Sequence, residues 1–410
     1  MWRDADFVRY FSARTVSFTG AVVTWVALPV LVYRMTGSAA WTSTTVVVET
    51  LPMVLLGLVG GALGDRRDRR RVMVRADLVS DAAIGSIALA HLLGRLTLAH
   101  LLVAAFVSAS AVTIFDGSNW GALPAIVGRD RLPEANARVW GVQSLLEVGL
   151  PAAVGVALAF VAPAALLAID AASFFASAAL IRSISSNLQL HQADSRTTML
   201  ADIREGVGYL FSHPVLRPLL AVSVIGSASG GGMVALMVVW ADRQLGIGTG
   251  GVRFGLLAGA WSAGAALAAA LLPRLIRRWG AVGLTRFAAW VVPLCILATA
   301  LTTDYSVALA VWSTYAVVHV SQYSAVITYR QQIVPDALLS RVSSTARVIG
   351  WGAGSMGGAL AAGQLAERFG LPVAITAMAG VHALMIVAVN VPSLRKDVLP
   401  PPLPGPVSSS

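Results

Sequence analysis

Glu49, Glu147 and Arg14 have the most chemistry to offer, because each sits inside a run of apolar side chains. Even a lenient insertion scale charges about 2.5–3.5 kcal/mol for an Asp at the centre of such a helix. An ion retained there needs either a partner or a task. Two tasks suit Glu49 and Glu147: exchanging a proton, or binding a cationic substrate. The plainer alternative is that one of them is neutralised by Arg14. Asp116 lies near the end of another apolar run and reads as a partner for Arg129 or Arg131. Asp170, in Ala168-Ile169-Asp170-Ala171-Ala172-Ser173, reads as a hydrogen-bonding group between helices. Tyr315, His319, Gln322 and Tyr323 share a polar-aromatic face that suits an amphipathic ligand, although a lone histidine in a helix more often packs and hydrogen-bonds.

Other chemistries find no support. No His-Cys-acid cluster has metal-ligand spacing. The single cysteine, Cys295, lies in an apolar run and cannot pair within one chain. A phosphate-binding loop of the Gly-x-x-x-x-Gly-Lys-Ser/Thr type is missing, as are Gly-x-Ser-x-Gly and His-Glu-x-x-His. The expectation is a protein that is no enzyme, carries no cofactor, and draws energy from an ion gradient, most simply protons, or from the substrate's own gradient.

A second constellation, Gly61-Ala62-Leu63-Gly64-Asp65-Arg66-Arg67-Asp68-Arg69-Arg70-Arg71, follows an apolar run. As a basic cluster it fits a stop-transfer signal, but that leaves Asp65, four residues after Gly61, unexplained. Asp77 and Asp81, one turn apart at the start of the next run, read as partners of these arginines or as helix N-terminal acids.

The elements that must position these groups are membrane spans. Charged residues make up 12% of the chain and hydrophobic ones 57%, far from the balance of a water-soluble protein. At about 20 residues per span the length accommodates roughly twelve helices. They fall near 10–33, 42–63, 74–94, 97–116, 137–160, 162–182, 216–239, 250–273, 281–302, 305–328, 341–364 and 372–392. An N-terminus in the cytoplasm leaves just Arg34, Arg95, Arg243, Arg253 and Arg368 of the 30 Lys and Arg outside. That asymmetry predicts an N-in, C-in topology. The net charge of +10 lies between spans, where lipid headgroups rather than nucleic acid are the near partner.

The expected fold is an all-α membrane protein of two six-helix bundles, 1–182 and 216–393. Between them, 183–215 forms a polar loop whose second part, 199–211, has the spacing of an amphipathic helix. A tail at 394–410 is rich in proline and serine and is expected to be disordered. An internal repeat agrees with two halves: Ala137-Arg138-Val139-Trp140-Gly141 and Ala346-Arg347-Val348-Ile349-Gly350 open the fifth and eleventh spans. Glycines at 230–232, and at 350, 352, 354, 357, 358 and 363, permit close helix contact.

The stretch from Gly61 to Arg71 closely resembles the G-x-x-x-D-R-x-G-R-R signature of the major facilitator superfamily, with Asp68 in place of the second glycine. Trp25 to Ser38, Leu132-Pro133-Glu134-Ala135-Asn136-Ala137 and Asp202 to Leu210 are similar to segments of its drug and siderophore exporters, the branch of enterobactin exporters and macrolide-efflux proteins. The resemblance runs from about residue 7 to 393. It implies that Asp65 is a gate residue against the start of the eleventh span, with Arg66, Arg69 and Arg70 pairing with acids such as Asp77. It further implies export of a small molecule such as an antibiotic or siderophore, by proton antiport, from a monomer in a bacterial inner membrane. Two features depart from the family: the fourth span has no arginine, and Gly149-Leu150-Pro151-Ala152-Ala153-Val154-Gly155 keeps part of the antiporter signature. Uptake by the same fold, or a receptor or assembly factor that transports nothing, remain alternatives.

Overall fold

The computed structural model describes residues 1–119, 121–128, 130–189 and 199–395, with the backbone alone for 58–66, 199–203, 336, 337 and 395. Of the tail expected to be disordered from 394 to 410, residues 396–410 lie outside the described residues, whereas 394 and 395 close a last helical turn in which Leu394 is buried. Helices α1 (Ala5–Thr36), α2 (Ala39–Arg66), α3 (Arg69–Leu92), α4 (Leu98–Asn119), a short α5 (Ala122–Val127), α6 (Leu132–Ala157) and α7 (Pro163–Arg182) come first. Then follow α8 (Met199–Ser212), α9 (Leu216–Arg243), α10 (Val252–Leu301), α11 (Tyr305–Ile333) and α12 (Asp336–Ala346). A π-helical segment (Arg347–Ala353) leads into α13 (Gly354–Phe369), α14 (Leu371–Ala383), α15 (Met385–Val389) and α16 (Pro392–Arg395). No strand occurs among the described residues.

Local chemistry sets several boundaries. Asp4 accepts hydrogen bonds from the Asp6 and Phe7 amides, and Gly37 at φ 63° ends α1. Asp68 caps α3 through the Arg71 amide, and Asp304 caps α11 through Val307. Among the described residues, eight helices are long and apolar enough to cross a membrane. Their outward faces carry Leu145, Leu301 and Val387, each at least 73% exposed, which is tolerable where lipid replaces water.

Helix α10 corrects the expected division into two spans joined by a loop. It runs for 50 residues, about 75 Å if straight, against a hydrocarbon thickness of about 30 Å. Gly280, at φ 66° and ψ 168°, is its non-helical residue, so a single glycine makes the turn. The eleventh span also differs, being broken by the π segment, and the twelfth is interrupted at Leu384. Helix α5 was not anticipated; Pro124 within six residues hides its periodicity.

Packing follows two sets. Helix α1 packs on α6 and α7, α2 on α4, and α3 on α4 and α7; beyond α8, α9 packs on α13 and α14, and α10 on α11 and α14. The sets meet chiefly through α6–α10 and α2–α13. Glycines make both meetings possible: Gly155 and Gly255 face each other without side chains, the Gly251 amide reaches the Gly155 carbonyl at 2.9 Å, and Gly363 leaves room for Ser43. Within the second set, Gly358 lies directly on the Ala228 carbonyl of α9. Gly358→Leu is expected to part α9 from α13 and to cost at least about 1–3 kcal/mol, read as a lowered melting temperature in detergent.

The expected amphipathic helix is α8, which packs on α12. Glu205 pairs with Arg341, and Gly206 lies against the Arg341 carbonyl. The chain leaving α7 is fastened to the first set instead. Asp6 accepts hydrogen bonds from the Ser185 amide at 2.9 Å, the Ser186 amide at 2.7 Å and the Ser186 hydroxyl at 2.6 Å.

Candidate functional site

Charge placement is easiest to follow from two ends. The proximal end carries the N-terminus, the α2–α3 turn and the start of α12; the distal end carries the α1–α2, α9–α10 and α13–α14 turns. A cavity of about 1140 Å³ lies between the two helix sets. It reaches from Thr24, Glu49 and Asp170 at mid-height to Arg69, Gly121 and Ser340 at the proximal end.

The two deep carboxylates differ in how they are held. Asp170, on α7, accepts a short hydrogen bond from the Thr24 hydroxyl and another from Ser173 at 3.2 Å, and Gly20 lets it approach the α1 backbone. This is the interhelical role expected of it. Glu49 projects from α2 into the cavity and makes no hydrogen bond or ion pair among the described residues. At its depth the cavity therefore has one fixed acid and one with a free carboxyl, on different helices.

Nearer the mouth, Arg14 pairs with Asp116 at 3.5 Å and stacks over Phe115 at 5.3 Å. That corrects the expected pairing of Arg14 with Glu49 or Glu147 and gives Asp116 a partner other than Arg131. Arg131 instead donates to the Val127 carbonyl at 3.2 Å, ending α5, and Arg129 lies outside the described residues. Arg347 lines the cavity opposite Asp116. Its repeat counterpart Arg138 pairs with Glu134 at 2.6 Å and covers the Trp2 ring, so the repeated sequence serves different ends.

Glu147 is exposed on α6 and lies outside the cavity lining. The reason is the course of α6, which meets α10 at Gly155–Gly255 near its distal end and leaves Leu145 75% exposed further down. The polar-aromatic face of α11 is divided. Tyr323 lines the cavity, whereas Tyr315, His319 and Gln322 are buried within the second set. There Tyr315 and His319 stack at 5.3 Å, and His319 meets His382 at 6.0 Å, beside Trp261 and Trp312.

In the signature stretch, Gly61, Asp65 and Arg66 form the last turns of α2, where the side chains are not described. Arg70 donates to the Ser186 carbonyl and Arg69 to the Leu188 carbonyl at 3.3 Å. These contacts correct the expected pairing of Arg69 and Arg70 with Asp77: linker carbonyls lie within reach, and Asp77 does not. Asp77 is buried in α3 with Oδ2 unpartnered, and Asp81 is half-buried one turn on.

The distal end is shut by polar links between the sets that the sequence did not announce. Glu367, at the end of α13, accepts from the Ala39 amide at 2.9 Å and the Ser38 hydroxyl at 3.1 Å, seating a carboxylate on the N-terminus of α2. Tyr33 donates to Asp242 at 2.8 Å, Arg34 to Thr249 at 2.9 Å, and Arg243 to the Gly37 carbonyl.

A helical membrane protein with a cavity between two helix sets, sealed at one end and lined with acids, is built as a transporter. Solved structures share this fold: the nucleoside transporter NupG superposes with a TM-score of 0.73 at 10% identity, over 94% of this chain and 98% of that one. A bacterial homologue of the iron transporter ferroportin matches over 94% of this chain in both its states. The TM-score is 0.69 for the inward-facing state, at 17% identity over 99% of that chain, and 0.60 for the outward-facing state, at 17% identity over 98%. The chain belongs to the transmembrane secretion effector family of the major facilitator superfamily, whose model matches residues 2–400. It is 29% identical over 225 residues to the multidrug efflux pump Tap of Mycolicibacterium fortuitum, a match spanning 52% of this chain and 54% of that protein. It is thus a multi-pass transporter of the bacterial plasma membrane and not an enzyme.

Proposed function

We propose that the chain exports an amphipathic small molecule, such as a drug, antibiotic or siderophore, by proton antiport through alternating access. Twelve spans carry it: α1, α2, α3, α4, α6, α7, α9, the two arms of α10, α11, α12–α13 and α14–α15. Both termini face the cytoplasm, so the proximal end is cytoplasmic and the distal end external. The halves 1–182 and 216–393 rock about the cavity as a monomer, with α8 against the cytoplasmic face.

The observation that carries this reading is a cavity open towards the proximal end, sealed distally, with Glu49 uncommitted at its depth. The better superposition on the inward-facing ferroportin homologue supports the same conformation. A proton taken from outside and a cargo taken from inside compete for Glu49, and their different affinities for the two states drive exchange. The direction rests on the likeness to Tap. Asp65, Arg66, Asp77 and Asp81 remain proposed gate residues, and Tyr323 and Arg347 proposed cargo contacts.

Inside-out vesicles with an imposed proton gradient test it, with a pH-sensitive dye as readout. Antibiotics and siderophores added in turn are expected to dissipate the gradient in vesicles holding the protein and not in empty ones. Transport of cargo without proton movement would overturn antiport. Accumulation in right-side-out vesicles alone would reverse the direction.

A further inference from the structure

Several arginines of this protein are engaged by protein groups. Arg9 binds Asp6, Arg14 Asp116, Arg71 Asp68, Arg138 Glu134 and Arg341 Glu205, while Arg70 and Arg286 donate to carbonyls. Arg274, Arg277 and Arg278 are not so engaged, and they differ from the other exposed arginines in lying together at one helix break. All three are exposed and make no ion pair or hydrogen bond to protein among the described residues. Their spacing of three and four puts them on one face of α10. The sequence offers no acid from Arg243 to Thr303, nor from Tyr305 to Pro335, so neither α10 nor α11, which packs on it, can neutralise them.

Their position defines what can. They occupy the last turns before the Gly280 break, between two apolar arms of a helix too long to cross a bilayer once. That places them at a membrane surface. Trp279, 40% exposed, stacks on Phe287 at 5.0 Å, and Arg278 covers the Trp279 ring at 5.9 Å. An aromatic pair at the headgroup level beside guanidinium groups suits a lipid: rings against the upper acyl chain, guanidinium forks on the phosphate.

We propose that the Gly280 turn is a binding site for an anionic phospholipid, with Arg274, Arg277 and Arg278 on its phosphate and Trp279 and Phe287 against its glycerol and upper chains. Headgroup attraction is roughly fivefold in affinity per positive charge. The inference does not depend on what the protein transports, and its test needs no cargo.

The protein is purified from vesicles of phosphatidylcholine mixed with phosphatidylglycerol, and retained lipid is counted by native mass spectrometry. Wild type is expected to hold phosphatidylglycerol in preference to phosphatidylcholine. Arg277→Gln with Arg278→Gln is expected to lower that preference roughly 30-fold. Arg204→Gln with Arg217→Gln, which removes the same charge from exposed positions on α8 and α9, is expected to leave it nearly unchanged. Equal loss in both pairs would overturn the site in favour of a diffuse surface potential, as would wild type with no preference. Displacement of the lipid by inorganic phosphate would overturn it in favour of a soluble anion. Should the double variant fail to insert, Trp279→Ala with Phe287→Ala keeps every charge and is expected to lower retention severalfold; full retention would count against the proposal.

Discussion

Glu49→Gln is expected to abolish cargo-driven proton movement, by about tenfold or more, while leaving the protein folded and as thermally stable as wild type. The reasoning rests on what the side chain touches. Glu49 faces the cavity from α2 without a hydrogen bond or ion pair among the described residues, so an isosteric amide removes a titrating group without breaking a structural contact. Asp170→Asn is the informative companion. Its carboxylate accepts from Thr24 and Ser173, so the substitution disturbs the α1–α7 seam and is expected to lower stability by about 1–3 kcal/mol as well as transport. Glu147→Gln, outside the cavity lining, is expected to stay within about twofold of wild type, since surface substitutions change free energies by about 0.5 kcal/mol or less. The same dye assay in inside-out vesicles reads all three, with melting in detergent as the control. Proton movement at the wild-type rate in Glu49→Gln would sink the assignment of this acid.

Glu367→Gln is expected to loosen the distal seal and shift the resting population towards the outward-open form. Glu367 places a full charge on the N-terminus of α2 and accepts two hydrogen bonds from it. A charge at such a position contributes about 1–2 kcal/mol where partly buried, which corresponds to about a five- to thirtyfold change in the ratio of states. Spin labels on cysteines introduced at Leu93 and Leu301, exposed near the distal end on different helix sets, measure it in a Cys295→Ser background. The longer-distance population is expected to grow in Glu367→Gln and to recede towards wild type in Glu367→Asp. An unchanged distance distribution would show that Tyr33–Asp242 and Arg34–Thr249 suffice to hold the seal.

What the sequence disclosed follows from what each signal depends on. Apolar runs and the amphipathic spacing of 199–211 are local properties, and the helices came out where those signals lay. The linker, too, was visible as a polar stretch dividing similar halves. Partners of charged residues were not legible. Arg14 and Asp116 are a hundred residues apart, and nothing in either neighbourhood encodes the other. Glu367 carries no sequence signal of its own, because its partner, the start of α2, is 329 positions away. Asp170 was recognisable as an interhelical hydrogen-bonding group, but its place in the cavity beside Glu49 emerges when α2 and α7 are brought together. The arginines after α2 read correctly as a basic cluster and wrongly as partners of Asp77, since backbone carbonyls, which no sequence pattern marks, compete for them. At Gly280 the failure was one of habit: a basic stretch between two apolar runs looks like a loop, yet all but one of its residues accept helical geometry.

The π-helical turn at Arg347–Ala353 gives the eleventh span one residue more than an α-helix of its rise would hold. Such a surplus has no fixed address. Passing it one step along the chain exchanges a few hydrogen bonds for equivalent ones while swinging the neighbouring side chains by about a quarter turn. Arg347 and Trp351, both at the cavity wall, lie within the stretch that would swing, while Gly350, Gly352 and Gly354 bring its backbone close against α9 and α2. The span behaves in this respect like a screw with a slipped thread: the part below the defect can revolve against α9 without the part above it being unpacked.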